Sequence, residues 1–143
     1  MSDIVFVDSN ILIYAHDIDA GIKQQRAEQR LRELWASGNG RLSTQVLQEF
    51  FVNVTRKLAT PVAKATAREV VATYGTWIQE PTTADTIVRA ADLIELAQIS
   101  FWDALIVAAA EQCGARHLWS EDLSAGRKIA GITVINPLAA PVT

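Results

Sequence analysis

The chain has 143 residues, of which 50% are hydrophobic and 20% are charged. These values are typical of a single globular domain with a sizeable core and exclude an intrinsically disordered chain. Its one cysteine, Cys113, excludes an internal disulfide and a multi-cysteine zinc site, and the formal net charge of −3 argues against a broad basic surface for nucleic acids.

Neither a signal peptide nor a membrane span is predicted. The first residues, MSDIVFVDSN, lack a basic stretch followed by a long apolar run. No apolar window reaches the ~18 residues that a membrane-spanning helix needs. We therefore expect a cytoplasmic protein without a membrane partner.

Two strands and three helices are predicted in the first half of the chain. In order, they are a strand at 3–8, a helix at 21–37, a strand at 41–43, a helix at 44–58 and a more polar helix that ends near residue 74. Ser9 and Asn10 after the first strand predict a turn into residues 11–15. Gly38 and Pro61 are residue types that end helices.

Strands and helices continue to alternate in the second half. The predicted elements are a strand at 75–78, a helix at 82–98, a buried helix that begins at residue 100, a strand at 116–119 and a strand at 132–135. The alternation predicts an α/β fold in which a parallel sheet of four to five strands lies between two helical layers. We expect one domain over residues 1–137 and a C-terminal tail over 138–143.

Asp103 is unusual because it lies in the stretch FWDALIVAAA, residues 101–110, whose other nine residues are apolar. One interpretation is a capping box, in which the carboxylate bonds back to the amide of Ser100 at the helix start. The other is that the carboxylate faces a cleft and binds a metal ion together with other acids. Asp103 alone does not decide between them.

Three further acids lie where strands or helices meet the predicted edge of the sheet. Asp8 ends the first strand and Asp122 follows the strand at 116–119, so both reach the edge formed by the carboxyl ends of the strands. Glu49 borders the apolar stripe of its helix and can face the same edge. Each also has a simpler explanation: Asp8 as a helix cap, Glu49 as a solvated acid and Asp122 as a loop residue.

The ordered set of segments DSNILIYA, STQVLQEF, SFWDALIVAAA and GARHLWSEDLSAGRKIAGITVINP resembles the PIN-domain ribonucleases, in particular the VapC-type toxins of prokaryotic toxin–antitoxin pairs. The resemblance extends from Asp3 to Pro137. No single segment is specific, but their order and separations are. It implies a three-layer α/β/α PIN-like fold and, usually, a homodimer.

The resemblance also implies a catalytic site. Its acidic quartet, which binds Mg²⁺ or Mn²⁺, falls on Asp8, Glu49, Asp103 and Asp122. Asn10 and Ser120 occupy supporting polar positions in that sequence pattern. Glu121, directly before Asp122, is the alternative for the fourth acid.

The activity implied is hydrolysis of RNA phosphodiester bonds, with tRNA or rRNA loops as expected substrates and a VapB-type antitoxin as the expected partner. Hard oxygen ligands suit these ions, and two bound divalent cations would reverse the negative net charge. Attack by water predicts 5′-phosphate and 3′-hydroxyl products. Basic side chains that could contact phosphates, or are simply solvated, are Arg56, Lys57, Lys64, Arg68, Arg127 and Lys128; no substrate-binding residue is assigned.

Other functions fit the sequence less well. A dehalogenase-type phosphatase would have a second aspartate where Asn10 stands, and a receiver domain would have paired acids near the N-terminus and a lysine on a late strand. No GxGxxG or GxxxxGK[ST] pattern occurs. The alternative that stays open is a catalytically inactive PIN-like module that binds RNA or protein.

Overall fold

A computed structural model describes residues 3–139. Most of the predicted tail, residues 140–143, lies outside the described part. Leu138, at the start of that tail, is buried, and its carbonyl oxygen accepts a hydrogen bond of 3.0 Å from Arg26.

Five short strands in the described part of the chain form one sheet at the centre of the fold. They are β1 (Val5–Val7), β2 (Gly40–Arg41), β3 (His117–Trp119), β4 (Lys128–Ile129) and β5 (Ile132–Ile135). Their order in the sheet is β2-β1-β3-β5-β4, and only the β4–β5 pair is antiparallel. β1 and β3 are therefore neighbours, so the segments that follow them emerge side by side.

Within residues 3–139, six α-helices cover the sheet in a three-layer α/β/α arrangement. They are α1 (Ser9–Ala15), α2 (Ile22–Ser37), α3 (Thr44–Arg56), α4 (Lys64–Tyr74), α5 (Ala84–Ala97) and α6 (Phe101–Gln112). The consecutive residues Ala104–Ala110 of α6 are all buried, as expected of a helix that is apolar on every side. The predicted α/β class with a mainly parallel sheet is confirmed.

No single helix in residues 3–139 is long and apolar enough to cross a membrane. Taken together α5 and α6 meet both criteria, but they are bent by 114° at the break between them.

The strand predicted at 75–78 is wrong. Residues Gly75–Trp77 form a 3-10 helix that continues from α4. In such a turn residues i and i+3 lie on one side, which brings Tyr74 and Trp77 together at a ring separation of 4.8 Å, and both contact Trp35. A strand would direct residues 74 and 77 to opposite faces and break this cluster.

Two elements were not predicted. Residues 11–15, expected to follow a turn, belong to α1, which begins directly after Asp8. The two-residue strand β4 pairs with β5 across a tight hairpin in which Ala130 and Gly131 have φ values of 52° and 80°. Because both central residues of this turn have positive φ, its backbone twist matches the twist of the two strands. Ala-Gly is not one of the usual sequences for such a turn, so the hairpin has no clear signal in the sequence.

Candidate active site

Asp8 is the most buried acid of the described residues, with 6% of its surface exposed. It follows β1 and caps α1, since its Oδ1 accepts a hydrogen bond of 2.7 Å from the amide of Ser9. Its Oδ2 accepts a second bond, of 2.8 Å, from the hydroxyl of Ser120. Asp8 is therefore a helix cap, as one interpretation of the sequence proposed. With Oδ1 bound at the cap, Oδ2 faces Ser120 in the loop after β3.

Asn10 joins Asp8 to Asp122. Its Nδ2 group lies 3.4 Å from Asp8 Oδ2, 3.3 Å from Ser120 Oγ and 3.1 Å from Asp122 Oδ2. The amide of Asp122 in turn donates to Ser120 Oγ over 3.1 Å. Ser120 is fully buried. Its hydroxyl contacts both Asp8, which follows β1, and Asp122, which lies in the loop after β3.

Glu49 reaches the same network from α3. Its Oε1 accepts a hydrogen bond of 3.1 Å from the Ser9 hydroxyl, and its Oε2 lies 3.5 Å from Nε2 of Gln45, one turn earlier on the helix. Gln45 also donates over 3.2 Å to the carbonyl of Trp102, which ties α3 to the start of α6. We call Asp8, Glu49 and Asp122, with Ser9, Asn10 and Ser120, the acidic network.

Asp103 is outside the acidic network. Its backbone amide donates to the Ser100 hydroxyl over 3.1 Å, which is one half of the predicted capping box. The reciprocal bond from its carboxylate is absent, and across residues 3–139 that carboxylate has no hydrogen-bond or ion-pair partner. Asp103 is half-buried at the start of α6, directly after Trp102, whose carbonyl accepts the hydrogen bond from Gln45.

Glu121 is bound away from Asp8. Its side chain accepts a hydrogen bond of 2.6 Å from the Tyr14 hydroxyl and forms an ion pair of 2.8 Å with Lys23. Burial would raise its carboxyl pKa, but the bonds from Lys23 and Tyr14 hold that pKa below its ordinary value. The side chain of Asp122 therefore joins the acidic network, whereas Glu121 contacts it only through its backbone amide, which donates to Asn10 Oδ1 over 3.2 Å.

The electrostatics of the network are those of acids held close together. The pKa of Asp8 is raised from 3.8 to about 6, chiefly by burial and further by the charges of Glu49 and Asp122, while hydrogen bonds from Ser120 and Ser9 act to lower it. In the described part of the chain, no cation pairs with Asp8, Glu49 or Asp122.

A divalent cation fits this edge by charge and by ligand type. All the acids offer hard carboxylate oxygens, which Mg²⁺ and Mn²⁺ prefer. The buried Oε1 of Gln45, beside Glu49, is a further oxygen without a hydrogen-bond partner among the described residues. No three acidic, histidine or cysteine side chains of residues 3–139 stand at metal-binding separations, so the carboxylates would have to move together around an ion.

Sequence reasoning missed four of these polar residues. Gln45 is detectable in principle, because it is four residues before Glu49 and therefore lies on the same face of the helix. Ser9 stands between two residues of interest without a motif of its own. Tyr14 and Lys23 carry no local signal, since they meet Glu121 only through the fold.

An apolar groove lies apart from the acidic network. It has a volume of about 430 Å³, lies between α3 and α4, and is lined by Thr44, Leu47, Gln48, Phe51, Val52, Arg68 and Val71. None of these residues is an acid. Arg68, one of the candidate phosphate contacts, instead forms an exposed pair with the adjacent Glu69.

Comparison with known protein families identifies the chain. A model of the PIN domain matches residues 5–128, from β1 to β4. The chain belongs to the PIN domain family. This match confirms the family resemblance and the fold that it implies. PIN domains are nucleases that generally use divalent metal ions. A search of curated proteins finds no match for the sequence.

Several solved structures share the fold of this PIN domain. A toxin–antitoxin complex from Klebsiella pneumoniae is 20% identical, with coverage of 93% of this chain and 97% of that chain and a TM-score of 0.66. VapC20 of Mycobacterium tuberculosis, described as a sarcin–ricin loop cleaving toxin, is 22% identical (82% and 89% coverage, TM-score 0.60). VapBC2 of Rickettsia felis, bound to a promoter DNA fragment, is 19% identical (92% and 96%, TM-score 0.61). At these identities the likeness establishes the fold alone.

Proposed function

We propose that this PIN domain is a metal-dependent endoribonuclease and the toxin of a VapBC-type toxin–antitoxin pair. The observation that carries the proposal is the acidic network: Asp8, Glu49 and Asp122 come from three different elements and share hydrogen-bond partners at one edge of the sheet. A fold has no structural need to hold acids together without a cation, because their mutual repulsion destabilises it.

Asp8, Glu49, Asp103 and Asp122 are the proposed metal-binding and catalytic residues. Asp8 is held most firmly, through Ser9 and Ser120, and Asp122 reaches the same point through Asn10. Asp103 supports the proposal differently: the residue is half-buried, and its carboxylate is unpaired among the described residues and so free to turn toward an ion.

When bound, Mg²⁺ or Mn²⁺ would supply the Lewis acid that lowers the pKa of water and offsets the charge on the phosphoryl oxygens. The protein's own residues would position the carboxylates that bind the ion. The Ser120 hydroxyl and the Asn10 amide hold the Asp8 and Asp122 carboxylates at one place on the sheet edge, from which both would still have to shift to close around an ion. Hydrolysis by water would leave 5′-phosphate and 3′-hydroxyl ends.

The proposed substrate is a single-stranded loop of a structured RNA such as tRNA or rRNA. Loops expose unstacked bases that a protein can read. The fold neighbour VapC20 is described as cleaving the sarcin–ricin loop, which supports the RNA class without naming the RNA for this chain.

The proposed partners are a VapB-type antitoxin and a second copy of the chain, both in the cytoplasm. Two fold neighbours were solved as complexes of toxin with antitoxin, which supports the first. An antitoxin arginine suits the acidic network, since its guanidinium binds carboxylates through two parallel hydrogen bonds. Light scattering on the purified protein tests the homodimer, and a monomeric mass would refute it.

Cleavage of labelled tRNA and of rRNA loop fragments, with Mg²⁺, with Mn²⁺ and with EDTA, tests the activity. Wild type is expected to cut at least one RNA only with metal, and Asp8→Asn to abolish cutting while the protein stays folded. Asp85→Asn is the matched control, because Asp85 is an exposed acid at the start of α5. A 2′,3′-cyclic phosphate product, or full activity in EDTA, would refute the mechanism.

The second candidate is a PIN domain that binds RNA or protein without cleavage. It is favoured by the absence of a preassembled metal cage among the described residues and by the Asn10 amide, which already bridges Asp8 and Asp122. Mn²⁺ binding separates the two. If Mn²⁺ stabilises wild type and Asp8→Asn equally, the acids are structural and the binding module is the better description.

A further inference from the structure

One face of α1 holds a single residue of the β3–β4 loop at two points. Asn10 and Tyr14 are four residues apart on that helix and so lie on the same face. The backbone amide of Glu121 donates to Asn10 Oδ1 over 3.2 Å, and the Glu121 side chain accepts from the Tyr14 hydroxyl over 2.6 Å. The backbone and the side chain of Glu121 are both fixed.

Lys23 of α2 completes this arrangement. Its ammonium group pairs with Glu121 Oε2 at 2.8 Å and lies 4.9 Å from the centre of the Tyr14 ring, within cation–π distance. Both carboxylate oxygens of Glu121 therefore have a strong donor, and the side chain of Glu121 is only 22% exposed. We call Tyr14, Lys23 and Glu121 the Glu121 latch.

We propose that Glu121 is a positioning residue and not a metal ligand: the Glu121 latch orients Asn10 and delivers Asp122 to the acidic network. This inference rests on the proposed metal site and assigns a role to residues beyond the acidic quartet. To bind an ion near Asp8, the Glu121 carboxylate would have to leave both Tyr14 and Lys23.

The latch acts on the site through the Asn10 side chain. An amide has one acceptor oxygen and one donor nitrogen, and the bond from the Glu121 amide fixes which of them faces the acids. With Oδ1 occupied, Nδ2 must face Asp8 and Asp122. Asp122 is the next residue after Glu121, so fixing the backbone of Glu121 also limits where the Asp122 carboxylate can lie.

Mn²⁺ affinity of the full chain, measured by calorimetry, tests the latch. Loss of a positioning hydrogen bond around metal ligands weakens binding by about 10-fold or more, so Tyr14→Phe is expected to raise the Mn²⁺ dissociation constant by that factor. Tyr74→Phe is the matched control, since it removes the same hydroxyl from the other tyrosine, which packs on Trp35 and Trp77. Glu121→Gln should weaken binding less than Asp122→Asn does.

The opposite results would identify Glu121 as a ligand. If it binds the ion, Tyr14→Phe frees it, so Mn²⁺ affinity would stay unchanged or increase. Glu121→Gln would then weaken binding as much as Asp122→Asn. Either result overturns the proposal.

A measurement without metal separates the latch from the proposed nuclease function. In EDTA, Tyr14→Phe is expected to speed hydrogen exchange of the Glu121 backbone amide relative to wild type and Tyr74→Phe. Unchanged exchange overturns the latch, even if Mn²⁺ binds. Faster exchange in a protein that binds no Mn²⁺ would instead overturn the nuclease proposal and the role of the latch at a metal site. The contacts of Glu121 would then only stabilise the fold.

Discussion

Asp8 should make the metal-free protein less stable as the pH rises. Its carboxyl group is buried, and its pKa in the folded chain is about 6, compared with an ordinary value of 3.8. Since the folded state holds its proton more tightly than the unfolded state does, the raised pKa favours folding at low pH and opposes it at high pH. Asp8→Asn removes this titration.

The size of this loss of stability follows from the size of the pKa shift of Asp8. One pKa unit corresponds to about 1.4 kcal/mol. A rise of the Asp8 pKa from 3.8 to about 6 therefore lowers the free energy of unfolding by about 3 kcal/mol once Asp8 is ionised in both the folded and the unfolded state. The cost begins near the unfolded pKa and is complete above the folded one. Between pH 4 and pH 8, the difference in unfolding free energy between wild type and Asp8→Asn should therefore change by about 2 to 3 kcal/mol, with the variant gaining.

Urea unfolding in EDTA across that pH range measures this difference. Using the change with pH removes any constant cost of replacing the carboxylate by an amide at Ser9 and Ser120. Asp85→Asn is again the control, because it makes the same carboxylate-to-amide change at an exposed residue. A difference that is flat with pH to within about 0.5 kcal/mol would show that the folded protein does not raise the pKa of Asp8.

Two further predictions concern neighbouring contacts. Ser120→Ala removes a hydrogen bond that lowers the pKa of Asp8, so carbon NMR titration of the Asp8 carboxyl should show a still higher pKa; an unchanged value would refute the role of this hydroxyl. Gly40→Ala should lower the free energy of unfolding by about 1 to 3 kcal/mol, because its Cβ would stand 2.6 Å from the Trp77 ring. Gly75→Ala, which meets no atom within 4 Å, should lack this loss in the same urea experiment, and equal losses would refute the steric explanation.

The sequence was informative where burial alone decides the structure. The apolar run before Asp8 and the all-apolar α6 predicted a buried strand and a buried helix, and both are present. The carboxyl ends of parallel strands meet at one edge, which is why Asp8 and Asp122 could be expected near each other before any contact between them was known.

The sequence was less informative where distant contacts decide. The 3-10 helix Gly75–Trp77 follows Tyr74, and the rings of Tyr74 and Trp77 both pack on Trp35, which lies far away in the sequence. The hairpin between β4 and β5 has too few residues for a periodic signal. The bond between Tyr14 and Glu121 spans 107 positions, so local patterns could not assign either residue.

Asn10 shows how acids can meet at this edge before an ion is bound. Its Nδ2 group places amide hydrogens, which carry partial positive charge, between the carboxylates of Asp8 and Asp122. Because Glu121 holds its oxygen, Asn10 cannot turn that oxygen toward an ion without losing a hydrogen bond. A cation between these two acids would therefore compete with the amide for their oxygens, and its greater charge is what would let it displace a neutral donor.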